Sequence, residues 1–163
     1  MFSKRMNYIC IMKEMKIEIS YEVLAIKELD GQDRHLMEAA REATRRSYAP
    51  YSRFHVGAAA LLDNGIIVTG TNQENVASPS GLCAERTTLF YANSQYPDVP
   101  VRALAIASCD TKDILSPCGA CRQVMLETEN RHGMPMRVLL GGEKEVIVVK
   151  SARDLLPLAF DNY

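Results

Sequence analysis

Three cysteines stand where two helices are expected to begin. Cys118 and Cys121 form a Cys-x-x-Cys pair directly after Pro117, and this spacing places two thiolates one helical turn apart, so that both can reach one ion. The pair alone is ambiguous, because the same spacing is typical of a redox dithiol or of two ordinary buried cysteines. Cys83 stands at the start of another predicted helix, after a glycine-containing loop. If the two helix N-termini meet, their positive dipole ends stabilise three thiolates around one metal ion.

Three thiolate ligands leave one position of a tetrahedral zinc ion open for water, which separates a catalytic zinc site from a structural one. Zinc lowers the pKa of that water, whose proton then needs an acceptor. Glu85, two residues after Cys83, is expected to project near the metal without being a ligand, which is the arrangement of a general acid and base. The pattern resembles the signature of zinc nucleobase deaminases in its three-cysteine form. We therefore expect Zn²⁺ held by Cys83, Cys118 and Cys121, with Glu85 as the catalytic residue.

The composition limits the class of protein. A chain of 163 residues, 47% hydrophobic and 24% charged, is long enough for one core and too short for two ordinary domains. Its formal charge of -1 gives no excess of cations for a phosphate backbone, so nucleic acid is not the expected partner. The odd number of cysteines, five, and the absence of a secretory pattern favour a cytoplasmic protein with reduced thiols. No apolar run approaches the roughly 20 residues of a membrane helix, so no membrane association is expected.

The hydrophobic pattern predicts an α/β fold, a three-layer α/β/α sandwich with one mixed five-stranded sheet. Residues 1–30 are interpreted as a partly ordered N-terminal extension, with a half-exposed strand from Ile17 to Ala25, and residues 31–163 as the catalytic domain. A hairpin is predicted at Asp63-Asn64-Gly65, because Asn and Gly tolerate positive φ. The predicted helices are 33–47 with Asp33 as its cap, 83–94, 119–131 and a short one at 151–156, and the predicted strands are 56–62, 66–71, 101–108, 136–140 and 146–149.

Four strings make the chain similar to the tetrameric cytidine deaminases, over a stretch from about His35 to Phe160. They are Ser52-Arg53-Phe54-His55-Val56-Gly57, Asn72-Gln73-Glu74-Asn75, Cys83-Ala84-Glu85-Arg86 and Pro117-Cys118-Gly119-Ala120-Cys121-Arg122-Gln123. The resemblance implies hydrolytic deamination of cytidine and deoxycytidine to uridine and deoxyuridine with release of ammonia, in a homotetramer whose subunits share sites. The only cofactor it implies is Zn²⁺, and the partner is a small nucleoside.

The resemblance also implies roles for residues around the metal. Asn72 and Glu74 are expected to bind the ribose, Phe54 to pack on the base, and Ala84 to contact the substrate. Phe160 is expected to reach the site of a neighbouring subunit. Arg86 and Gln123 are expected to lie around the metal ligands without binding the ion. Three thiolates and Zn²⁺ sum to a charge of about -1, which weakens the zinc as a Lewis acid. Arg86 is therefore expected to donate a hydrogen bond to a thiolate sulfur.

Each of these residues also has a plainer interpretation. Phe54 is equally a core residue, Asn72 a turn residue bonded to its own backbone, and Phe160 an anchor for the C-terminal helix. The sequence departs from the family at Ser78, where Tyr is common. Ser78 keeps open a modified cytosine compound as substrate, whereas a base within RNA or DNA is disfavoured by the near-neutral charge and the absence of Trp.

A rival of another class is a structural zinc-binding paralogue without activity, which would not need Glu85. A thioredoxin-like dithiol would leave Cys83 without a role. His55 is given no metal role. Four further residues have no visible partner at ligand spacing and are expected to be structural or exposed: His35, His132, Cys10 and Cys109.

Overall fold

The computed structural model describes residues 14–161 and confirms the α/β fold. Within those residues six strands form one mixed sheet in the order β1-β6-β5-β4-β2-β3, with β4 and β5 parallel and all other neighbours antiparallel. The strands are β1 (Tyr21–Ala25), β2 (Val56–Leu62), β3 (Ile67–Thr71), β4 (Val101–Ser108), β5 (Arg137–Gly141) and β6 (Glu145–Val149), and the α-helices are α1 (Gly31–Ala43), α2 (Ala84–Gln95) and α3 (Gly119–His132).

The prediction of five strands was wrong by one. Tyr21–Ala25 joins the sheet at its edge and pairs antiparallel with β6 over its whole length. The alternation from Ile17 to Ala25 correctly indicates a strand, which spans Tyr21–Ala25. Its side chains are mostly exposed, so the hydrophobic pattern does not indicate that it pairs with β6. Cys10 and the other residues before position 14 lie outside the described part of the chain.

The hairpin forms at the predicted place. Gly65 has a φ of 83°, and its N–H donates to the carbonyl of Leu62 at 2.9 Å. The Asn64 side chain accepts from the N–H of Ile66 at 3.1 Å, which fixes the turn from within. The turn therefore sets the register of β2 against β3.

Helix α1 begins earlier than predicted, because Asp30 is its cap and not Asp33. The Asp30 carboxylate accepts from the backbone N–H of Asp33 at 2.8 Å. Asp33 is buried instead and pairs with Arg137 of β5, whose guanidinium donates to both carboxylate oxygens at 2.6 and 3.1 Å. A short 3₁₀ turn, Thr44–Arg46, then ends the helical segment before Ser47.

Two clusters of buried side chains lie on opposite faces of the sheet and make the three layers. Leu36 of α1 packs with Ala59 and Ala105 on one face, whereas Leu89 of α2 and Met125 of α3 pack on the other. The change of face between neighbouring positions of β2 follows from the strand period of two. The sandwich was predicted correctly.

Helix α2 lies unusually close to β3, at Gly70. A methyl group added at Gly70 would stand 2.5 Å from Oγ1 and 2.8 Å from the backbone nitrogen of Thr88. Glycine therefore permits this contact, and the contact sets the height of α2 above the sheet. Among residues 14–161, none of the helices combines the length and the apolar character that a membrane span requires.

Candidate metal centre and active site

The three cysteines converge because two helices begin at the same place. Cys83 and Cys118 are the N-cap residues of α2 and α3, and Cys121 lies one turn into α3. The sulfur of Cys118 is 3.8 Å from that of Cys83 and 3.5 Å from that of Cys121. All three sulfurs lie within 4.8 Å of one another.

This spacing fits a tetrahedral zinc ion. Bonds of about 2.3 Å from zinc to sulfur place the sulfurs of a tetrahedron about 3.8 Å apart. The environment also favours thiolate: hydrogen bonds from the Cys121 thiol and the Arg86 guanidinium lower the pKa of Cys83 well below its usual range. Cys121, in turn, has a raised pKa because of its hydrogen bond to Cys83 and its burial. Three sulfur atoms at this spacing, in surroundings that favour the anionic form of Cys83, are thus a donor set suited to Zn²⁺.

Arg86 contacts the cluster as the sequence suggested. Its Nη2 donates to the sulfur of Cys83 at 3.7 Å. Its Nε is buried and has no hydrogen-bond partner within the described residues. A buried, unpartnered donor next to three sulfurs marks an electropositive wall for an anionic metal centre.

Glu85 lies in the first turn of α2 and is 4% exposed. Burial raises the pKa of its carboxyl group to about 6. It lines a cavity of about 270 Å³ together with Phe54, Ala84, Cys83 and Cys118. A carboxyl group that titrates near neutrality beside an open cavity is suited to taking up and releasing a proton.

Asn72 also lines this cavity, but its amide is engaged with the chain. Its Oδ1 accepts from the N–H of Val56 at 2.8 Å and from the hydroxyl of Ser47, and its Nδ2 donates to the carbonyl of Phe54 at 2.7 Å. Asn72 therefore holds the segment that carries Phe54. The sequence analysis did not predict this contact, which joins Asn72, directly after β3, to the segment directly before β2.

Glu74 lines a neighbouring cavity of about 530 Å³, which shares Asn72 and Cys83 with the first. Its Oε2 accepts from the N–H groups of Tyr51 and Ser52 at 2.8 and 3.2 Å. Hydrogen bonds from the Ser52 side chain and the Tyr51 backbone lower the pKa of Glu74. Glu74 is thus an anionic acceptor at the mouth of the site, on the same wall as Ser78.

Phe160 does not line either cavity of its own chain. Its side chain is largely exposed, and its carbonyl oxygen accepts from Nε2 of Gln123 at 2.8 Å. Arg122, for which the sequence suggested no role, donates to the carbonyls of Pro117 and Leu155 at 2.9 and 3.0 Å. Helix α3 thus contacts both the loop that leads into Cys118 and the C-terminal segment.

Comparisons with known proteins agree with this geometry. Residues 30–134 match the family model described as the cytidine and deoxycytidylate deaminase zinc-binding region. A cytidine deaminase of Halalkalibacterium halodurans is 42% identical over 125 residues, which are 77% of this chain and 91% of that protein. A cytidine deaminase of Sporosarcina psychrophila is 43% identical over 127 residues, covering 77% and 88% of the two chains.

The fold is also similar to that of a solved cytidine deaminase. The crystal structure of cytidine deaminase from Burkholderia pseudomallei superposes with a TM-score of 0.66 at 42% identity, over 77% of this chain and 97% of the other. The family match covers the two helix starts that bring the cysteines together. The chain therefore belongs to the zinc-binding cytidine and deoxycytidylate deaminase family.

Proposed function

We propose that the protein is a zinc-dependent hydrolase that converts cytidine and deoxycytidine to uridine and deoxyuridine, with release of ammonia. The observation that carries the proposal is the cavity in which Cys83 and Cys118 meet the buried carboxyl group of Glu85. Relatives that match most of the chain are named cytidine deaminase, which supports a nucleoside substrate and disfavours a purely structural zinc module.

The metal ligands in this proposal are Cys83, Cys118 and Cys121. When bound, Zn²⁺ supplies a Lewis acid that lowers the pKa of a water molecule toward neutrality. Arg86 donates to the Cys83 sulfur and withdraws negative charge from the thiolate, which preserves that Lewis acidity.

Glu85 moves the protons. It accepts one from the attacking water and transfers it to the ring nitrogen beside the reacting carbon, so that the carbon becomes electrophilic. It then carries the second proton of that water to the amino group, and ammonia leaves while the carbonyl of the uridine product forms. The raised pKa of Glu85 suits both steps, because the same group must act as base and as acid.

The substrate contacts are proposed from positions around the cavity. Phe54 and Ala84 would pack against the base, and Glu74 would accept a hydrogen bond from a ribose hydroxyl. Asn72 would bind the ribose through the second N–H of its amide nitrogen, because its Oδ1 already accepts two hydrogen bonds within the chain. The carboxylate of Glu74 is suited to this because its hydrogen bonds keep it ionised. Phe160 would complete the pocket of a neighbouring subunit.

The remaining features of the proposal concern the whole molecule. The protein would be a cytoplasmic homotetramer with shared sites, in which residues 31–163 form the catalytic domain and residues 1–30 an extension whose strand β1 joins the edge of the catalytic sheet. The start of the family match at residue 30 supports this division. Ser78, exposed on the wall of the larger cavity, leaves room for a substituted cytosine nucleoside as an additional substrate.

Glu85→Gln tests the proposal, because it keeps the shape of the side chain and removes its ability to hold a proton. We expect kcat for cytidine to fall by about 10²- to 10⁴-fold at unchanged zinc content. The measurement is the absorbance change from cytidine to uridine, with ammonia release, beside a zinc determination. Glu127→Gln, at an exposed glutamate of α3, is the matched control and should keep full activity.

Other results would contradict the proposal in distinct ways. A wild-type protein that holds zinc but converts neither nucleoside would favour a modified cytosine substrate or an inactive paralogue. A Glu85→Gln variant with wild-type kcat would show that another group moves the protons.

A further inference from the structure

A second group of metal-ligating side chains lies at the ends of β2 and β4. His55 directly precedes β2, and Cys109 and Asp110 directly follow β4. The two strands are antiparallel, and Val56 is paired with Ser108, so the sheet places His55 beside Cys109. Cys109 is exposed, as expected, but the register of β2 against β4 gives it neighbours at ligand distance that were not visible in the sequence. The same register is the reason to reconsider His55, which the sequence analysis gave no metal role.

The donor atoms of the three residues lie within 4.8 Å of one another. Nδ1 of His55 is 2.8 Å from Oδ2 of Asp110, which also accepts from the His55 backbone N–H at 2.6 Å. The hydroxyl of Ser108 accepts from the N–H of Asp110 at 3.1 Å and holds the turn in place. Imidazole nitrogen, thiolate sulfur and carboxylate oxygen are the three donor types that zinc uses in proteins.

We propose that His55, Cys109 and Asp110 form a second binding site for a divalent cation of the zinc class, separate from the three-cysteine centre. One neutral imidazole, one thiolate and one carboxylate together carry two negative charges, which a divalent cation neutralises. The three-cysteine centre with zinc carries a net charge of about -1 by the same count. The second site is therefore chemically distinct from the first.

For the His55 and Asp110 pair, only a small movement is needed for binding. A cation about 2.0 to 2.1 Å from both the imidazole nitrogen and the carboxylate oxygen would separate these atoms to about 3.3 Å. The present separation of 2.8 Å thus has to open by about 0.5 Å. Both side chains are about one-third exposed, at 37% and 33%, so they are free to rotate by this amount.

The exchange of protons is balanced. The proton between His55 and Asp110 moves to the other ring nitrogen, so the imidazole stays neutral. The thiol of Cys109 releases its proton to solvent as the sulfur binds the cation. The site needs no oxidant or reductant.

The surroundings allow a cation to enter. His55, Cys109 and Asp110 all line a surface cavity of about 830 Å³ that shares no lining residue with the cavity of Glu85. The basic residues of this cavity are already engaged: Arg45 pairs with Glu42 at 3.1 Å, and Nη2 of Arg41 donates to the carbonyl of Gly142 at 2.6 Å. Glu38 and Glu42 also line the cavity and add negative charge. Direct repulsion of the cation is reduced by these partners.

Zinc stoichiometry tests the proposal. The reduced protein is dialysed against buffered free Zn²⁺ near neutral pH, and zinc per chain is measured by mass spectrometry of the metal. We expect two equivalents for the wild type and one for His55→Ala and for Cys109→Ser. His35→Ala, at an exposed histidine of α1, is the matched control and should keep two.

A wild type that holds one equivalent, or variants that keep the second, would overturn the proposal. A second measurement needs no variant: Zn²⁺ should slow the alkylation of Cys109 by iodoacetamide at least tenfold, as followed by peptide mass spectrometry. An unchanged alkylation rate under zinc would also overturn it. Because neither readout is catalytic activity, failure of this site is distinguishable from failure of the proposed deaminase.

Discussion

Arg86 is the residue whose charge bears most directly on the metal. Its Nη2 contacts the sulfur of Cys83 at 3.7 Å, so the positive charge offsets part of the negative charge of three thiolates. We expect Arg86→Gln to lower kcat by about 10- to 100-fold with zinc still bound, because a more electron-rich zinc is a weaker Lewis acid. The measurement is kcat at a zinc content matched to the wild type.

Arg45→Gln is the control for this change. Arg45 is a surface residue whose side chain is 77% exposed and pairs with Glu42. Its loss should leave kcat unchanged, because surface ion pairs contribute little. Equal kcat values for the two variants would mean that the Arg86 contact has no effect on the chemistry.

The residues closest to the chemistry were accessible from the sequence, because their spacing follows from helix geometry. One helix begins with a Cys-x-x-Cys pattern and another with a Cys-x-Glu pattern. In each case the spacing indicates which side chains lie on the same helical turn. The contact of Asn72 with the Phe54 segment was not accessible, and neither was that of His55 with Asp110. The first joins side chain to backbone beyond the ends of the β2–β3 hairpin, and the strand pattern does not extend that far. The second depends on the register of β2 against β4, which are distant in the chain, and hydrophobic periodicity does not encode it.

At the scale of elements, the position of α2 depends on the contact at Gly70. We expect Gly70→Ala to lower the free energy of unfolding by about 1 to 3 kcal/mol, because the added methyl group would overlap the backbone of Thr88. Activity should fall as well, since α2 carries Cys83 and Glu85 at its start. Urea unfolding and kcat of the folded protein measure the two effects.

Gly31→Ala is the matched control. A methyl group at Gly31 meets no atom within 4 Å, and the residue opens α1, where alanine favours the helix. Stability should be unchanged or slightly raised. Equal losses in the two variants would mean that the closeness of α2 to β3 is not what Gly70 provides.

Most element positions were predictable, and the exceptions have local causes. The strands β2 and β4 were predicted with their observed bounds, because β2 is a continuous apolar run and β4 is interrupted only at Arg102 before it ends at Ser108. The start of α1 was misplaced, because Asp30 and Asp33 are both acceptable caps by residue type. Only the tertiary pairing of Asp33 with Arg137 distinguishes them.

At the scale of the whole molecule, the proposed sharing of sites can be tested by mixing inactive chains. Phe160 is largely exposed and does not line either of the two cavities next to the cysteines, which is compatible with a role in a neighbour's site. Co-expressed Glu85→Gln and Phe160→Ala chains should form tetramers in which roughly a quarter of sites contain both intact residues. Activity should then exceed the average of the two separate variants.

The controls for the mixture are the two variants purified alone and combined after purification. Sedimentation should give four chains for each sample. An activity of the co-expressed sample equal to the average would place Phe160 in service of its own site, or of none.

The pairing of β1 with β6 has a consequence for how the chain folds. Almost the whole described chain lies between these two strands, whereas β2 to β6 join the sheet in the order in which they are synthesised. Among the described strands, the first one synthesised therefore pairs with the last one. Until this pairing forms, the apolar edge of β6 is open to another chain, so we expect a chain that lacks β1 to aggregate more readily than the intact one.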